Sequence, residues 1–329
     1  MIQPPKSRIL GTGHFLPPNV RTNADLEKLV ETSDQWIRER TGIGERRVAG
    51  DGMVTSDMAA NAAKNALEAA GTSASELDMI IVGTVTPDMP MPATAVFVQQ
   101  KIGAPHCPAF DISAACAGFV FGLSIADKFI ASGTAKRILV IGVELLSRVV
   151  NWEDRTTCVL FGDGAGAVVL GPAEGDRGLL STNTHTDGSL GESLMIQAGG
   201  SAMPITVEAL ANRKNKVAMR GQDIFKAAVK NLHSASQMAV DQAGMKNEDV
   251  DWVVPHQANL RIIDQVTARA NYPKHKVLSN IERVGNTSSA SIPILLDQNV
   301  RAGVIKPRDV VLMCALGAGV SWGAALVRM

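Results

Sequence analysis

An internal repeat constrains this chain more than any other feature of its sequence. In the first half, Ala70-Gly71 ends a helical pattern, and seven residues later Asp78 opens the apolar run Met79-Ile80-Ile81-Val82-Gly83. In the second half, Ala243-Gly244 ends another, and Asp251 opens Trp252-Val253-Val254 after the same interval. Farther along, Ser132-Gly133 precedes the run Arg137–Gly142, as Ala302-Gly303 precedes Asp309–Cys314. Continuous apolar runs of strand length point to strands covered on both faces, as in the parallel sheets of α/β proteins. Two separated anchors in one register imply a duplicated α/β unit. We expect two related halves, residues 1–172 and 173–329, meeting face to face. Counting back 17 residues from Gly133 reaches Cys116, and the same count from Gly303 reaches Asn286. The register thus predicts equivalent helix starts at Cys116 and Asn286.

The rest of the chain reads consistently with such a unit. Residues 7–20 read as strand and turn, and Asn23 to Arg40 as helices, with Asn23 or Thr22 as cap and Thr32-Ser33-Asp34 restarting the pattern at Trp36. Thr55-Ser56 caps an alanine-rich helix to Ala70, and a proline-broken loop, Pro87 to Pro92, leads to a helix through Val98. Pro108–Ile112 is a strand, and Gly118–Ser132 is the helix behind Cys116. Cys158–Phe161 and Ala165–Leu170 flank Gly162-Asp163-Gly164, the pattern of a hairpin or tight turn. Residues 171–220, rich in Gly, Ser, Thr and Asn, read as irregular.

Composition removes several classes of function. Apolar residues make up 46% and charged residues 19%, enough for a large core and incompatible with disorder. Lys+Arg and Asp+Glu both number 32, so no global charge favours nucleic acid, and any basic patch must be local. No apolar run approaches the ~20 residues of a membrane span. Met1-Ile2-Gln3-Pro4-Pro5-Lys6 lacks a signal-peptide pattern, and the four cysteines have neither zinc-ligand spacing nor the density of a disulfide scaffold. A cytoplasmic protein without a metal is expected.

Three residue types with complementary chemistry stand at strand or helix ends. Cys116, in Ala115-Cys116-Ala117-Gly118, starts a helix, where free N–H groups and the helix dipole favour the nucleophilic thiolate. His256 follows the strand Trp252–Val254, the position at which parallel sheets present functional groups. Asn286 stands in Gly285-Asn286-Thr287-Ser288-Ser289. Taken singly, these are a buried small residue, a structural histidine and a helix cap. Taken together, two of them related by duplication, they suggest one convergent site. The strings Gly162-Asp163-Gly164-Ala165-Gly166 and Gly317-Ala318-Gly319 lack the strand, helix start and downstream acid of a dinucleotide fingerprint, which disfavours a nicotinamide oxidoreductase.

The ordered set Asp111-Ile112-Ser113-Ala114-Ala115-Cys116-Ala117-Gly118-Phe119, Phe161-Gly162-Asp163-Gly164-Ala165-Gly166-Ala167, Pro255-His256-Gln257-Ala258-Asn259 and Gly285-Asn286-Thr287-Ser288 resembles the β-ketoacyl-[acyl-carrier-protein] synthase III family, from Ile9 to Arg328. The resemblance implies a thiolase fold, an α/β architecture of two duplicated halves in a five-layered αβαβα sandwich. It implies decarboxylative condensation of a short acyl-CoA, acetyl-CoA first among them, with malonyl-acyl carrier protein (ACP), opening type II fatty acid synthesis. Cys116 is then the acylated nucleophile, and His256 and Asn286 are donors to the enolate. Cys116 N–H and the Ala318-Gly319 loop would hold the oxyanion. No cofactor is implied beyond the substrates themselves, and a homodimer is implied, with the strand Arg137–Gly142 near its interface.

Other positions carry over one by one. Trp36, Arg40, Arg155, Asn259 and Phe225 match CoA and pantetheine contacts, with Trp36 and Arg155 sandwiching the adenine. Gln257, Ala258, Asn259, Leu260 and Arg261 match the ACP-docking segment, and Lys226 and Arg269 extend a basic rim for an acidic partner. Leu316 stands where the family usually has Phe, and Ala318 where it often has Gly; Met91 lies in the loop that commonly ends the acyl pocket. Met91 and Leu316 are therefore expected to shape that pocket and to admit longer primers. The competing readings are an acyltransferase or specialised-metabolite ketosynthase on the same Cys-His-Asn set, and a non-catalytic acyl-carrier-binding protein.

Overall fold

The computed structural model describes residues 6–329; Met1–Pro5, part of the segment read above for a leader pattern, lies outside them. Four glycines that anchored the repeat end their helices in left-handed backbone: Gly71 (φ 57°), Gly133 (φ 76°), Gly244 (φ 66°) and Gly303 (φ 69°). Glycine adopts this conformation without the Cβ penalty, so the recurring Gly is a helix stop. The aspartates of the repeat also share one task. Asp78 N–H donates to Arg137 O and its Oδ2 accepts from the Lys136 and Arg137 N–H groups. Asp251 N–H donates to Val310 O and its Oδ2 accepts from Val310 N–H. Each Asp therefore ties the start of one parallel strand to the next.

Two sheets result. The first comprises β1 (Ser7–Phe15), β2 (Met79–Gly83), β3 (Ala109–Ile112), β4 (Ile138–Glu144) and β5 (Gly164–Pro172), in the order β1-β5-β4-β2-β3. The second comprises β6 (Gly178–Thr186), β7 (Trp252–Pro255), β8 (Val310–Gly317) and β9 (Ser321–Arg328), in the order β7-β8-β9-β6. β2 runs parallel to β3 and β4, as β7 does to β8, and β5 and β9 are antiparallel to both neighbours. In the second half the counterpart of β3 shrinks to a single parallel bridge, Val253 to Val277.

The helices complete the layers. In chain order they are α1 (Asp34–Thr41), α2 (Thr55–Ala70), α3 (Thr94–Ile102), α4 (Gly118–Ala131), α5 (Gly221–Gln242), α6 (Leu260–Arg269) and α7 (Ser291–Arg301). α2 covers the outer face of the first sheet and α5 that of the second, while α4 and α7 lie between the sheets. Three buried apolar clusters fill the gaps, the central one joining Phe119, Val120 and Leu123 of α4 to Val140, Val168, Val311, Met313 and Ala325 of both sheets. This is an αβαβα sandwich. No helix among the described residues is long and apolar enough to cross a membrane.

Several local expectations are corrected. Residues 155–158 form a helical turn, and Phe161 makes no hairpin with β5 but bridges Asn286 of the other half. Gly162 N–H donates to Asn286 O and Asn286 N–H to Leu160 O, so the glycine string splices the halves together. The middle segment read as irregular contains β6, whose polar inward positions hide its strand period: Ser181 and Asn183 bond to backbone carbonyls of α5. The strand expected near a dimer interface, β4, is paired on both sides and fully buried, and the edge strands of its sheet are β1 and β3. Finally, α4 has 14 residues and α7 only 11, so the equal count from Gly133 and Gly303 is three residues out at the helix starts. The local counterparts are the 3-10 turns Ala115–Ala117 and Ser288–Ala290, each opening on a positive-φ residue.

Candidate active site

Cys116, His256 and Asn286 all line one cavity of about 470 Å³ between the halves, although each comes from a different element. Cys116 sits in the turn ahead of α4, against Gly317 at the end of β8. A Cβ on Gly317 would lie 2.5 Å from Cys116 N, so only glycine permits this approach. His256 follows β7, its N–H donating to Cys314 O of β8 at 2.8 Å. Asn286 follows Gly285, whose φ is 69°, and its Oδ1 accepts from Ser288 N–H at 2.8 Å. With Oδ1 engaged there, the Asn286 Nδ2 hydrogens remain as donors to a ligand.

Burial decides the charge states. It lowers the His256 pKa to about 3, so the ring is neutral at pH 7. Nδ1 is buried without a hydrogen-bond partner, which leaves Nε2 to the cavity. Burial raises the Cys116 pKa to about 12, with a hydrogen bond from Ser288 lowering it and the charge of Glu144 raising it. The resting group is therefore a thiol. The thiolate expected from a helix start is opposed by desolvation of the buried sulfur.

A second, apolar cavity of about 210 Å³ opens beyond Cys116. Its walls include Val85, Leu146, Phe161, Leu194, Ile196, Val217 and Ala318. Met91 and Leu316, expected to shape the acyl pocket, are absent from this wall. Met91 is 83% exposed and lines neither cavity, because Asp88 ties the loop to the start of α2 through Ser56 and leaves the following prolines outside. Leu316 is buried but lines the larger cavity only. Part of the smaller cavity's wall, Leu194, Met195, Ile196 and Val217, comes from the segment read as irregular, where the absence of long apolar periodicity concealed these side chains.

The larger cavity carries the other expected residues to its mouth. Trp36, Arg40, Arg155, Phe225, Ala258, Asn259 and Arg261 line it. The Arg155 guanidinium stacks directly on Trp36 at 4.9 Å from the ring centroid, so an adenine between them requires Arg155 to swing away. Asn259 caps α6 by accepting from Arg261 N–H and donates to Arg40 O, which gives it a structural task as well. Gln257 cannot dock a partner: it is fully buried, bonded to Pro255 O, Ser279 and Asn280 N–H. Leu260, Arg261, Lys226 and Arg269 are exposed, and among the described residues none of these three cations forms an ion pair. Ala318 walls the apolar cavity and Gly319, at φ 127°, follows it in the turn facing Cys116.

Comparison with known proteins agrees with this arrangement. Residues 110–188 match the family model described as 3-oxoacyl-[acyl-carrier-protein] synthase III, and residues 240–329 match the model of its C-terminal part. A β-ketoacyl-[acyl-carrier-protein] synthase III from Xanthomonas campestris pv. campestris is 50% identical over 98% of both chains. The crystal structure of 3-oxoacyl-[acyl-carrier-protein] synthase III from Aquifex aeolicus superposes with a TM-score of 0.91 at 48% identity, covering 98% of this chain and 100% of that one. The priming β-ketosynthase of the R1128 polyketide pathway gives 0.92 at 34% identity over 100% and 98% of the chains. With its thiolase fold, its duplicated halves and this kinship over nearly its whole length, the chain belongs to the β-ketoacyl-[acyl-carrier-protein] synthase III family.

Proposed function

We propose that this ketosynthase condenses an acyl-CoA primer with malonyl-ACP through Cys116, His256 and Asn286. The observation that carries the reading is the convergence of a thiol, a neutral imidazole and an oriented amide on one cavity that opens to a basic rim. Cys116 Sγ attacks the primer thioester and retains the acyl group in the apolar cavity, splitting the reaction into two easier steps. Malonyl-ACP then enters by the larger cavity. As CO₂ leaves, negative charge grows on the thioester oxygen, where His256 Nε2–H and Asn286 Nδ2–H donate. A neutral imidazole suits this task because it donates without a prior proton uptake. The enolate carbon attacks the acyl carbonyl, whose oxyanion faces Cys116 N–H and the Ala318-Gly319 turn. Collapse expels the Cys116 thiolate and leaves a 3-oxoacyl-ACP.

Acetyl-CoA remains the first primer on this reading, and the apolar cavity has room for longer ones. A cavity of about 150 Å³ holds benzene, and the apolar cavity here is about 210 Å³. Arg40, Arg155 and Phe225 hold the CoA arm, and Arg261 with Lys226 steers acidic ACP. The two halves divide at residues 172 and 173, between the last strand of one sheet and the first of the other. No cofactor takes part. A homodimer through the open β3 edge and a reducing cytoplasm, suited to four unpaired cysteines, complete the proposal. Intact-mass analysis after incubation with a panel of acyl-CoAs, followed by CO₂ release from malonyl-ACP, tests it. Acyl mass absent from wild type, or present unchanged in Cys116→Ser, defeats the reading.

A further inference from the structure

Glu144, at the end of β4, has no part in the condensation just described. It is fully buried. Every group that bonds it is a neutral donor: Thr86 Oγ1 at 2.6 Å, Thr84 Oγ1 at 3.4 Å, Val85 N–H at 3.2 Å, Ser288 Oγ at 3.1 Å and Ser289 Oγ at 3.3 Å. Among the described residues no cation pairs with it. A carboxyl group without a counter-ion is costly to bury, and a structural polar anchor needs no acid. The Ser288 hydroxyl donates to Glu144 Oε1 at 3.1 Å, and its turn packs against the turn that carries Cys116. Ser288 and Cys116 also share the wall of the apolar cavity.

We propose that Glu144 stores the proton of the Cys116 thiol, exchanging it through the Ser288 hydroxyl. This rests on Cys116 being the acylated nucleophile. During loading, the thiol proton passes to Ser288 Oγ while the Ser288 proton passes to Glu144 Oε1. The Cys116 sulfur bonds to the thioester carbonyl carbon, the bond from that carbon to the CoA sulfur breaks, and the CoA thiolate takes a proton from water at the cavity mouth. During condensation the carbon–carbon bond forms as Cys116 leaves as a thiolate, and the relay runs backwards to return the stored proton. One solvent proton is consumed per turnover, balancing the malonyl carboxylate lost as CO₂.

The relay answers the difficulty that burial makes for the thiol. Burial raises the Glu144 pKa to about 7, where a carboxyl group both accepts and releases a proton at neutral pH. The 84–86 segment and the Ser288–Ala290 turn present only hydroxyl and amide groups to it, and the titratable group coupled to it is Cys116. Glu144 acts through Ser288 and is a positioning residue rather than a catalytic one.

The test compares wild type with Glu144→Gln, Ser288→Ala and Glu144→Asp from about pH 6 to about pH 10. Two rates are followed: acylation of Cys116 by acyl-CoA, read by intact mass, and alkylation by iodoacetamide, which needs no substrate. Wild type gains both rates through an inflection near pH 7, the Glu144 value. Glu144→Gln and Ser288→Ala are each on the order of 10²-fold slower at pH 7. They lose the inflection and recover only in strongly alkaline buffer, whereas Glu144→Asp retains it. A rate at pH 7 close to wild type, or a uniform loss with the profile unchanged, overturns the relay. Should Glu144→Gln fail to fold, Ser288→Ala decides alone. Failure of the nucleophile assignment looks different, because wild type itself then gains no acyl mass while alkylation still reports the relay.

Discussion

The turns Ala115–Ala117 and Ser288–Ala290 occupy matching places in the two halves and have diverged in chemistry. Both are 3-10 turns ahead of a central helix, and both open on a residue with positive φ, Ala115 at 47° and Ser288 at 51°. Each presses on a glycine of the opposite sheet: a Cβ on Gly317 would meet Cys116 N at 2.5 Å, and one on Gly142 would meet Ser289 O at 2.2 Å. A non-glycine residue in left-handed backbone costs on the order of 1–3 kcal/mol and persists only where the surroundings enforce it. Duplication therefore supplied two enforced turns at the same interface. One presents the thiol and the other a hydroxyl pair backed by Glu144, with Asn286 just ahead of it. The reaction needs a nucleophile and a set of donors, and the molecule draws them from opposite halves.

The sharpest way to break this comparison is to alter one turn at a time. Cys116→Ala should lower turnover by on the order of 10⁴-fold or more, since no covalent intermediate forms, while Ser289→Ala in the matching turn should cost less than about 10-fold. Intact mass and product formation report both. If the two variants are equally inactive, the functional asymmetry is wrong. Next in size are His256→Ala and Asn286→Ala, expected to slow CO₂ release from malonyl-ACP by about 10²–10³-fold with acyl loading nearly unchanged. Because His256 is already neutral, the decarboxylation half-reaction should show no histidine titration above about pH 5.

A third variant probes the apolar cavity that the second half completes. Val217→Phe should fill its wall and reduce loading by six- to eight-carbon primers by roughly 10–100-fold relative to acetyl, measured as a ratio of acylation rates. The smallest effect tests the repeat itself. Asp78→Ala should destabilise the fold by about 1 kcal/mol and Asp251→Ala by about half of that, because Asp78 accepts two N–H groups and Asp251 one. Thermal unfolding reads the difference, and neither variant should change the rate of acyl loading.

Legibility in the sequence followed the range of the interactions involved. Helix stops at Gly71, Gly133, Gly244 and Gly303 are local backbone events, and each appears as a residue type. The buried strands β2, β7 and β8 are apolar throughout, and β4 is apolar up to its last residue, Glu144, so all four are readable for the same reason. β6 was not readable, because an edge strand that bonds its side chains to a helix carries Ser, Asn and Thr where an apolar period is sought. At the site, the ordered motifs placed Cys116, His256 and Asn286 together, whereas Gln257 shared a motif with exposed residues and is buried. Glu144 carries no signal in the sequence, since an acid at a strand end is ordinary until its surroundings are known.

The sequence by itself determined the duplicated architecture, the three residues of the central cavity and the family, because those rest on local backbone demands and on fixed residue types in order. Only the tertiary structure decided the protonation of Cys116 and His256, the walls of the apolar cavity and the link from Ser288 to Glu144. Those depend on desolvation and on contacts between segments more than a hundred residues apart, such as Ser288 with Glu144, separated by 144 positions. No local pattern encodes a separation of that kind, and burial sets a pKa only after the chain has closed around the group.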